Sequence, residues 1–427
     1  MNRHCRNLLF AAFLVLAVAS YAGNALIGVG QGILAIALIA SFWKNAEWDA
    51  KLVPDRKGVA ASTWLLIALI GVNIVSIAAN LDSYEKPFKD LKKVRHLILP
   101  VGVLLIPAVR RQVLTHARSW FRYVWMALVV TASAVTVADM INMLTGFHLF
   151  APIEGIERTT IRLGGVFGMV MTYGYSMQFL ILVITGMLLL LWQKGRAKDP
   201  LVWRITLIAF LICGLGMFLS GSRGALLGCL IGAVVIVFVL RWRWLYFAFG
   251  GMFVVALIAA ILLGNQLLEI RPNESSRFAQ WKTAAVTGIE NPVFGIGYRQ
   301  FEKQSRDLKQ AYGFPYDVTW RIDEEGNPVR GWLHSNAHNN YLEAFASTGI
   351  FGMLALLGFL LCWLREVWID PDTRLLFGPA IIGFLVAGIF ENSFTDGEVT
   401  TLVMMFYVGS QFAIKMGSSP DSEEQEV

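Results

Sequence analysis

Twelve stretches of mostly apolar residues divide the chain, at 7–23, 25–43, 59–80, 94–109, 122–143, 170–192, 203–220, 223–240, 244–264, 341–364, 375–392 and 399–416. A helix that crosses a bilayer needs about 20 such residues. The fourth stretch is short and interrupted by Pro100 and Pro107, which a membrane helix tolerates when neighbours satisfy the freed carbonyls. Between the ninth and tenth, residues 265–340 are polar and carry local patterns of their own. Ser275 and Ser276 are placed to cap a short helix running through Trp281. Asn291-Pro-Val-Phe-Gly-Ile-Gly297 reads as a turn. The run 301–312 reads as a charged surface helix, and Val318-Thr-Trp-Arg-Ile with Pro328-Val-Arg-Gly-Trp as a hairpin. The pattern predicts an all-α integral membrane protein of about 12 transmembrane helices, with one large loop between helices 9 and 10. Residues 1–264 carry helices 1–9, 265–340 the loop, 341–416 helices 10–12, and 417–427 an acidic, disordered tail.

Composition agrees. Of 427 residues 56% are hydrophobic and 15% charged, against about 25% charged in soluble chains. The net charge of +6 is no nucleic-acid signature, because a membrane protein needs Lys and Arg on its cytoplasmic loops. With the N-terminus (Arg3, Arg6) cytoplasmic, that side receives Lys44/Lys51/Arg56/Lys57, Arg110/Arg111/Arg118/Arg122, Lys194/Arg196/Lys198/Arg204 and Arg241/Arg243. The opposite short loops hold Arg158, Arg162 and Arg223 and one exception, the Lys86-to-Arg95 stretch, which reads as an amphipathic segment on the outer surface. Both termini are then cytoplasmic and residues 265–340 face outward. The cysteines Cys5, Cys213, Cys229 and Cys362 lie in or beside apolar runs and offer no disulfide framework.

The chemistry gathers where the loop meets the tenth apolar run, in His334-Ser-Asn-Ala-His338-Asn339, nine residues, Gly349, two residues, Gly352. Polar residues crowd a predicted helix start there, and His338 falls at the positive end of its dipole, a place that suits a neutral base. A solvated histidine in a helix cap is the plainer reading. His334 and His338, four apart, would share a helix face as metal ligands, but a third ligand is not evident. Arg223 stands in Ser220-Gly-Ser-Arg223-Gly224, a tight polar turn between apolar runs. A membrane arginine either faces a cavity or snorkels to the interface. Arg277, at the start of the short helix, conflicts mildly with that helix's dipole. Arg299 follows the turn at 291–297, and Arg162 opens a Gly-rich stretch. Glu391, Asn392 and Asp396, at the outer end of the eleventh helix, read either as lining the same cavity or, more simply, as ending that helix.

The histidine spacing, the arginine of the short turn and the large late loop resemble the O-antigen ligases. The resemblance implies a GT-C-like membrane glycosyltransferase of the bacterial inner membrane with its active site facing the periplasm. It implies transfer of polysaccharide from undecaprenyl diphosphate to the lipid A-core of lipopolysaccharide, inverting and without metal or other cofactor. His338 would be the base or positioner. Arg223, Arg277, Arg299 and Arg162 would bind the diphosphate, with Asn339 and His334 in support. An O-antigen polymerase or a protein O-oligosaccharyltransferase shares these features. A lipid-linked oligosaccharide flippase is the non-enzyme alternative and would spread polar residues through mid-membrane.

Overall fold

The computed structural model describes residues 3–44, 59–145, 163–165, 169–195, 199–241, 272–314, 317–322, 328–332 and 336–417. The predicted helix at 244–264 and the acidic tail lie outside the described residues.

Apolar runs become helices wherever they are described. In order these are α1 (Arg3–Ala22), α2 (Asn24–Lys44), α3 (Ala61–Ala79), the short α4 (Pro87–Leu91), α5 (Arg95–Leu105), α6 (Pro107–Thr145), α7 (Val170–Gln193), α8 (Pro200–Ser220) and α9 (Arg223–Leu240). After them come α10 (Pro272–Glu290), α11 (Gln300–Ala311), α12 (Asn340–Ile369), α13 (Pro371–Ala387) and α14 (Gly397–Gly417). An antiparallel hairpin of β1 (Asp317–Ile322) and β2 (Pro328–Trp332) stands where the sequence places it. Among the described residues nine helices are long and apolar enough to cross a membrane, or ten if the bent pair below is one span. The chain is an all-α integral membrane protein that passes the membrane many times.

Two predicted spans are corrected. The stretch 94–109 is no continuous helix: it breaks at Ile106, and the chain bends by 80° between Pro87–Leu105 and Pro107–Ala117. Pro107 is the cause, since the residue before a proline is driven out of the α region, and Ile106 is extended at φ −74, ψ 111. From Pro107 the next helix then runs without interruption for 39 residues. The stretch 375–392 also stops early. Helix α13 ends at Ala387, and residues 388–396 turn inward as a buried polar loop.

The most enclosed spans are α7 and α14, each with 67% of its apolar window buried. Phe179 of α7, Phe359 and Trp363 of α12, Phe384 of α13 and Phe406 and Tyr407 of α14 stack at centroid distances of 5.0–6.2 Å. Helix α13 lies against α9 and α7, α12 against α3, and α6 against α1 and α8. In a bilayer, helices associate by close packing of small residues rather than by hydrophobic exclusion. At the α9–α13 crossing a Cβ on Gly228 would lie 2.6 Å from the Gly383 carbonyl oxygen, and one on Gly383 equally close to that of Gly228. Only glycine fits at either position.

The Lys86-to-Arg95 stretch docks onto α11. Asp90 accepts from Lys303 Nζ at 2.7 Å and Gln300 Nε2 at 3.3 Å, and the Tyr84 hydroxyl donates to the Tyr298 carbonyl at 2.8 Å. This exception to the charge rule is therefore tied to the same end of the bundle as the 272–332 elaboration.

Candidate active site

The site is built from the start of α12. Asn339 is its N-cap: the side-chain oxygen accepts from the N–H groups of Tyr341 (2.9 Å) and Leu342 (3.0 Å), satisfying two donors that a helix start leaves unpaired. Glu343 reaches back from the first turn and accepts from Ala337 N, two residues ahead of the cap, at 2.8 Å. Together they hold His338 just ahead of the helix, with its N–H on Asn336 Oδ1 at 2.9 Å. His338 therefore does not lie on the face of α12. His334 itself lies outside the described residues.

Three non-glycine residues have positive φ among the described residues: Arg241, Arg299 and His338. Arg241 is an ordinary helix end. The other two are residues the sequence singled out. A side chain in the left-handed region costs of order 1–3 kcal/mol and persists only where its surroundings impose it.

The glycines of the histidine motif have a steric reason. Gly349, at φ 74 and ψ −171, breaks α12 internally, a conformation essentially open to glycine alone. The kink receives the 291–297 turn: Ile350 N donates to Pro292 O (2.8 Å), Ile296 N to Ala346 O (3.0 Å) and Gly297 N to Ser347 O (3.0 Å). A Cβ on Gly349 would meet the Val293 and Pro292 carbonyls. The motif thus fastens the turn before Arg299 to the helix after His338.

Loop 388–396 closes the other side. Asn340 donates its backbone N–H to Gly388 O (2.7 Å), and its side-chain oxygen accepts from Phe394 N (2.9 Å). The clamp brings Glu391, 4% exposed, to the histidine, whose Nδ1 lies 2.8 Å from Glu391 Oε1. Glu391 Oε2 has no hydrogen-bond partner among the described residues. So Glu391 does more than end a helix. Asp396 accepts from the Thr172 hydroxyl at 2.9 Å. Burial foremost, then the nearby Glu391 and Glu398 carboxylates, raise its carboxyl to about 7, against the pull of Thr172 and Arg299.

The arginines divide. Helix α10 begins at Pro272, so Ser275 and Ser276 lie inside it and Arg277 is not at the helix start; the dipole argument for it lapses. Its position serves instead. Arg277 lies one turn from Trp281 on the same helix. The Trp281 ring N–H points to the His338 carbonyl at 3.4 Å, and the ring packs on Phe390. Arg277 and Glu391 both lie within electrostatic reach of the Tyr175 hydroxyl. Arg223 is the exposed first residue of α9, after Gly221 ends α8 at φ 59. The next residue, Gly224, abuts the Tyr175 hydroxyl and Phe390. Tyr175 thus links the Arg223 turn, Arg277 and Glu391, beside His338.

Arg299 points elsewhere. Half-buried, it donates from a guanidinium nitrogen to the Thr395 carbonyl at 2.6 Å. It lines an inner cavity of about 50 Å³ with Lys93, His96, Asn340, Glu343 and Asn392. Burial works against its charge, but Tyr298, Glu302, Asp396 and Glu343 outweigh that and raise its pKa above the ordinary arginine value. The structure therefore does not gather Arg299 with Arg223 and Arg277. Arg162 lies outside the described residues. Its neighbours are anchored close to the Arg223 turn: Leu163 N donates to Leu219 O at 3.4 Å, and the N–H groups of Gly164 and Gly165 donate to Asp139 at 2.9 and 2.7 Å.

Sequence reading missed Tyr175 and Asp139, single polar groups inside apolar runs with no flanking motif. Glu391 had a signal: three polar residues, Glu391-Asn392-Ser393, are more than a helix end requires.

These features define a multi-pass membrane protein with a His338–Glu391 pair at one end of the bundle, near Arg277 and the turn that bears Arg223. A family model described as O-antigen ligase matches residues 208–357, about a third of the chain, containing Arg223, Arg277, Arg299 and His338. That match relates residues 208–357 to the O-antigen ligase/polymerase superfamily. No curated protein matches the chain.

Proposed function

We propose that the chain is an O-antigen ligase, moving a polysaccharide from undecaprenyl diphosphate to the lipid A-core on the periplasmic face of a bacterial inner membrane. The observation that carries this reading is the His338–Glu391 pair at 2.8 Å, with Arg277 and the turn that bears Arg223 both close to Tyr175 beside it. A histidine whose Nδ1 is held by a carboxylate presents Nε2 to a substrate. In the proposed step an acceptor sugar hydroxyl attacks the anomeric carbon and its proton passes to His338 Nε2. The glycosidic C–O bond to the diphosphate breaks, and undecaprenyl diphosphate leaves with the electron pair. Attack opposite the leaving group inverts the anomeric centre. Arg223 and Arg277 hold the diphosphate, since guanidinium forks match phosphate oxygens and stay charged at any relevant pH, and they stabilise the charge that develops on departure. Arg299 organises the 388–396 loop through Thr395 rather than touching the donor.

The test is transfer in vitro. Purified protein receives lipid-linked O-antigen and lipid A-core in detergent with a chelator, beside His338→Ala and Arg223→Ala. A chelator-resistant ladder on the lipid A-core, lost in both variants, supports the ligase. Lengthening of the donor with nothing on the core replaces it with a polymerase. Donor moved across a bilayer without any product refutes the enzyme.

A further inference from the structure

The end of the bundle remote from His338 holds a second, larger cavity, of about 750 Å³. Helix α7 connects the two, running from Thr172 beside Asp396 to Lys194 at the far mouth, about 33 Å at 1.5 Å per residue. The walls are mostly apolar and include the aromatic rings of Trp120, Phe121 and Trp125 of α6, Phe377 of α13 and Phe412 of α14. The charged lining residues are Lys194, Asp370 and Asp372, all at one end: Lys194 just after α7, Asp370 between α12 and α13, and Asp372 in the first turn of α13.

Depth and charge identify an occupant. Along α14 the cavity runs from Met405 to Met416, about 16 Å, which matches one leaflet, half of a hydrocarbon core about 30 Å thick. Trp192 and Trp368 are exposed at the same end, as in the aromatic belt at a head-group boundary. A polyprenyl chain would outrun a slot of this length. We propose that the cavity binds an acyl chain of a phospholipid from the leaflet at that end, with an amine-bearing phosphate head group of the ethanolamine class seated on Lys194, Asp370 and Asp372. Lys194 and Asp372 already form an ion pair, at 61% and 48% side-chain exposure. A phosphate beside Lys194 and an ammonium beside the two carboxylates extend that pair into alternating charges. A purely anionic head group would instead meet two carboxylates for one ammonium.

Gly409 offers a clean perturbation. It lines the cavity, and a Cβ added there meets no atom within 4 Å. Full-length protein, delipidated in detergent, would be titrated with phosphatidylethanolamine, phosphatidylglycerol and phosphatidylcholine of identical chains and read by native mass spectrometry. Wild type is expected to retain phosphatidylethanolamine roughly tenfold better than phosphatidylglycerol, the scale of two exposed charge contacts. Gly409→Leu should lower that binding roughly tenfold with helicity and melting temperature in lipid-free detergent unchanged. Ala413→Leu, on the same wall, repeats the test should the first variant fail to fold. Lys194→Gln with Asp372→Asn should erase the head-group preference and leave chain binding. Equal retention of the three lipids by wild type overturns the head-group assignment. Undiminished binding in folded Gly409→Leu and Ala413→Leu overturns the cavity, and displacement of the phospholipid by a polyprenyl phosphate overturns the occupant.

Discussion

Replacing Glu391 by glutamine keeps the shape of the side chain beside His338 and removes its charge. In the native site Glu391 Oε1 lies 2.8 Å from His338 Nδ1 and also accepts from Asn392 N at 3.1 Å. A hydrogen bond to a charged group contributes about 1.5–3 kcal/mol and a neutral one about 0.5–1.5. The exchange therefore removes about 1–1.5 kcal/mol, felt most when the imidazole has taken the acceptor's proton and become a cation. One factor of ten in rate is about 1.4 kcal/mol, so kcat for transfer should fall about 5- to 12-fold. The KM for the lipid-linked donor should barely move, because Glu391 faces the histidine rather than the diphosphate. Glu391→Ala should cost more, since His338 then loses its partner and a void opens beside it. Initial rates of ladder formation over a donor series separate the two constants, and a thermal melt shows that the fold persists. An unchanged kcat in Glu391→Gln, or a loss confined to KM, would refute the assignment of Glu391 to the histidine.

Further outcomes follow from the same geometry. Gly349→Ala places a Cβ against two carbonyls in a conformation costing about 1–3 kcal/mol; the melting temperature should fall by several degrees, and a value within one degree of wild type would contradict the kink. Asp396, its carboxyl raised to about 7 chiefly by burial, binds protons more tightly folded than unfolded. Its contribution is whole at low pH and is lost as pH rises through about 7. Asp396→Asn should flatten the decline of melting temperature between about pH 4 and 7 and gain on wild type above pH 7; parallel curves would remove the carboxyl from the account. His338→Gly should relieve the left-handed backbone at φ 46 and melt no lower than His338→Ala while abolishing transfer; a lower melt than the alanine variant would argue against strain there.

Membrane insertion was legible in the sequence because it depends on long apolar runs, a property of each segment alone. The hairpin, the 291–297 turn, α11 and the Ser220–Arg223 turn were legible for a similar reason, being set by neighbouring residues. Of the helix boundaries that failed, the one at Ile106 is local, set by Pro107 beside it, whereas the one at Ala387 failed where the chain answers to distant partners: Asn340, 48 or more residues earlier, holds the polar loop at Gly388 and Phe394.

The same division runs through the site. The histidine motif was legible from sequence, since an N-cap asparagine and two spaced glycines carry their meaning locally. That Arg277 and the turn bearing Arg223 come close to Tyr175 while Arg299 turns to Thr395 was decided only by how α7, α9, α10 and the 388–396 loop pack. An arginine's type shows that it can hold a phosphate, but which way it faces depends on the helices that surround it. Glu391 shows the limit most plainly. Fifty-three residues separate it from His338, and no local pattern links the two. They become a pair because a membrane bundle must satisfy buried polar groups internally, and tertiary packing is what brings each group its partner.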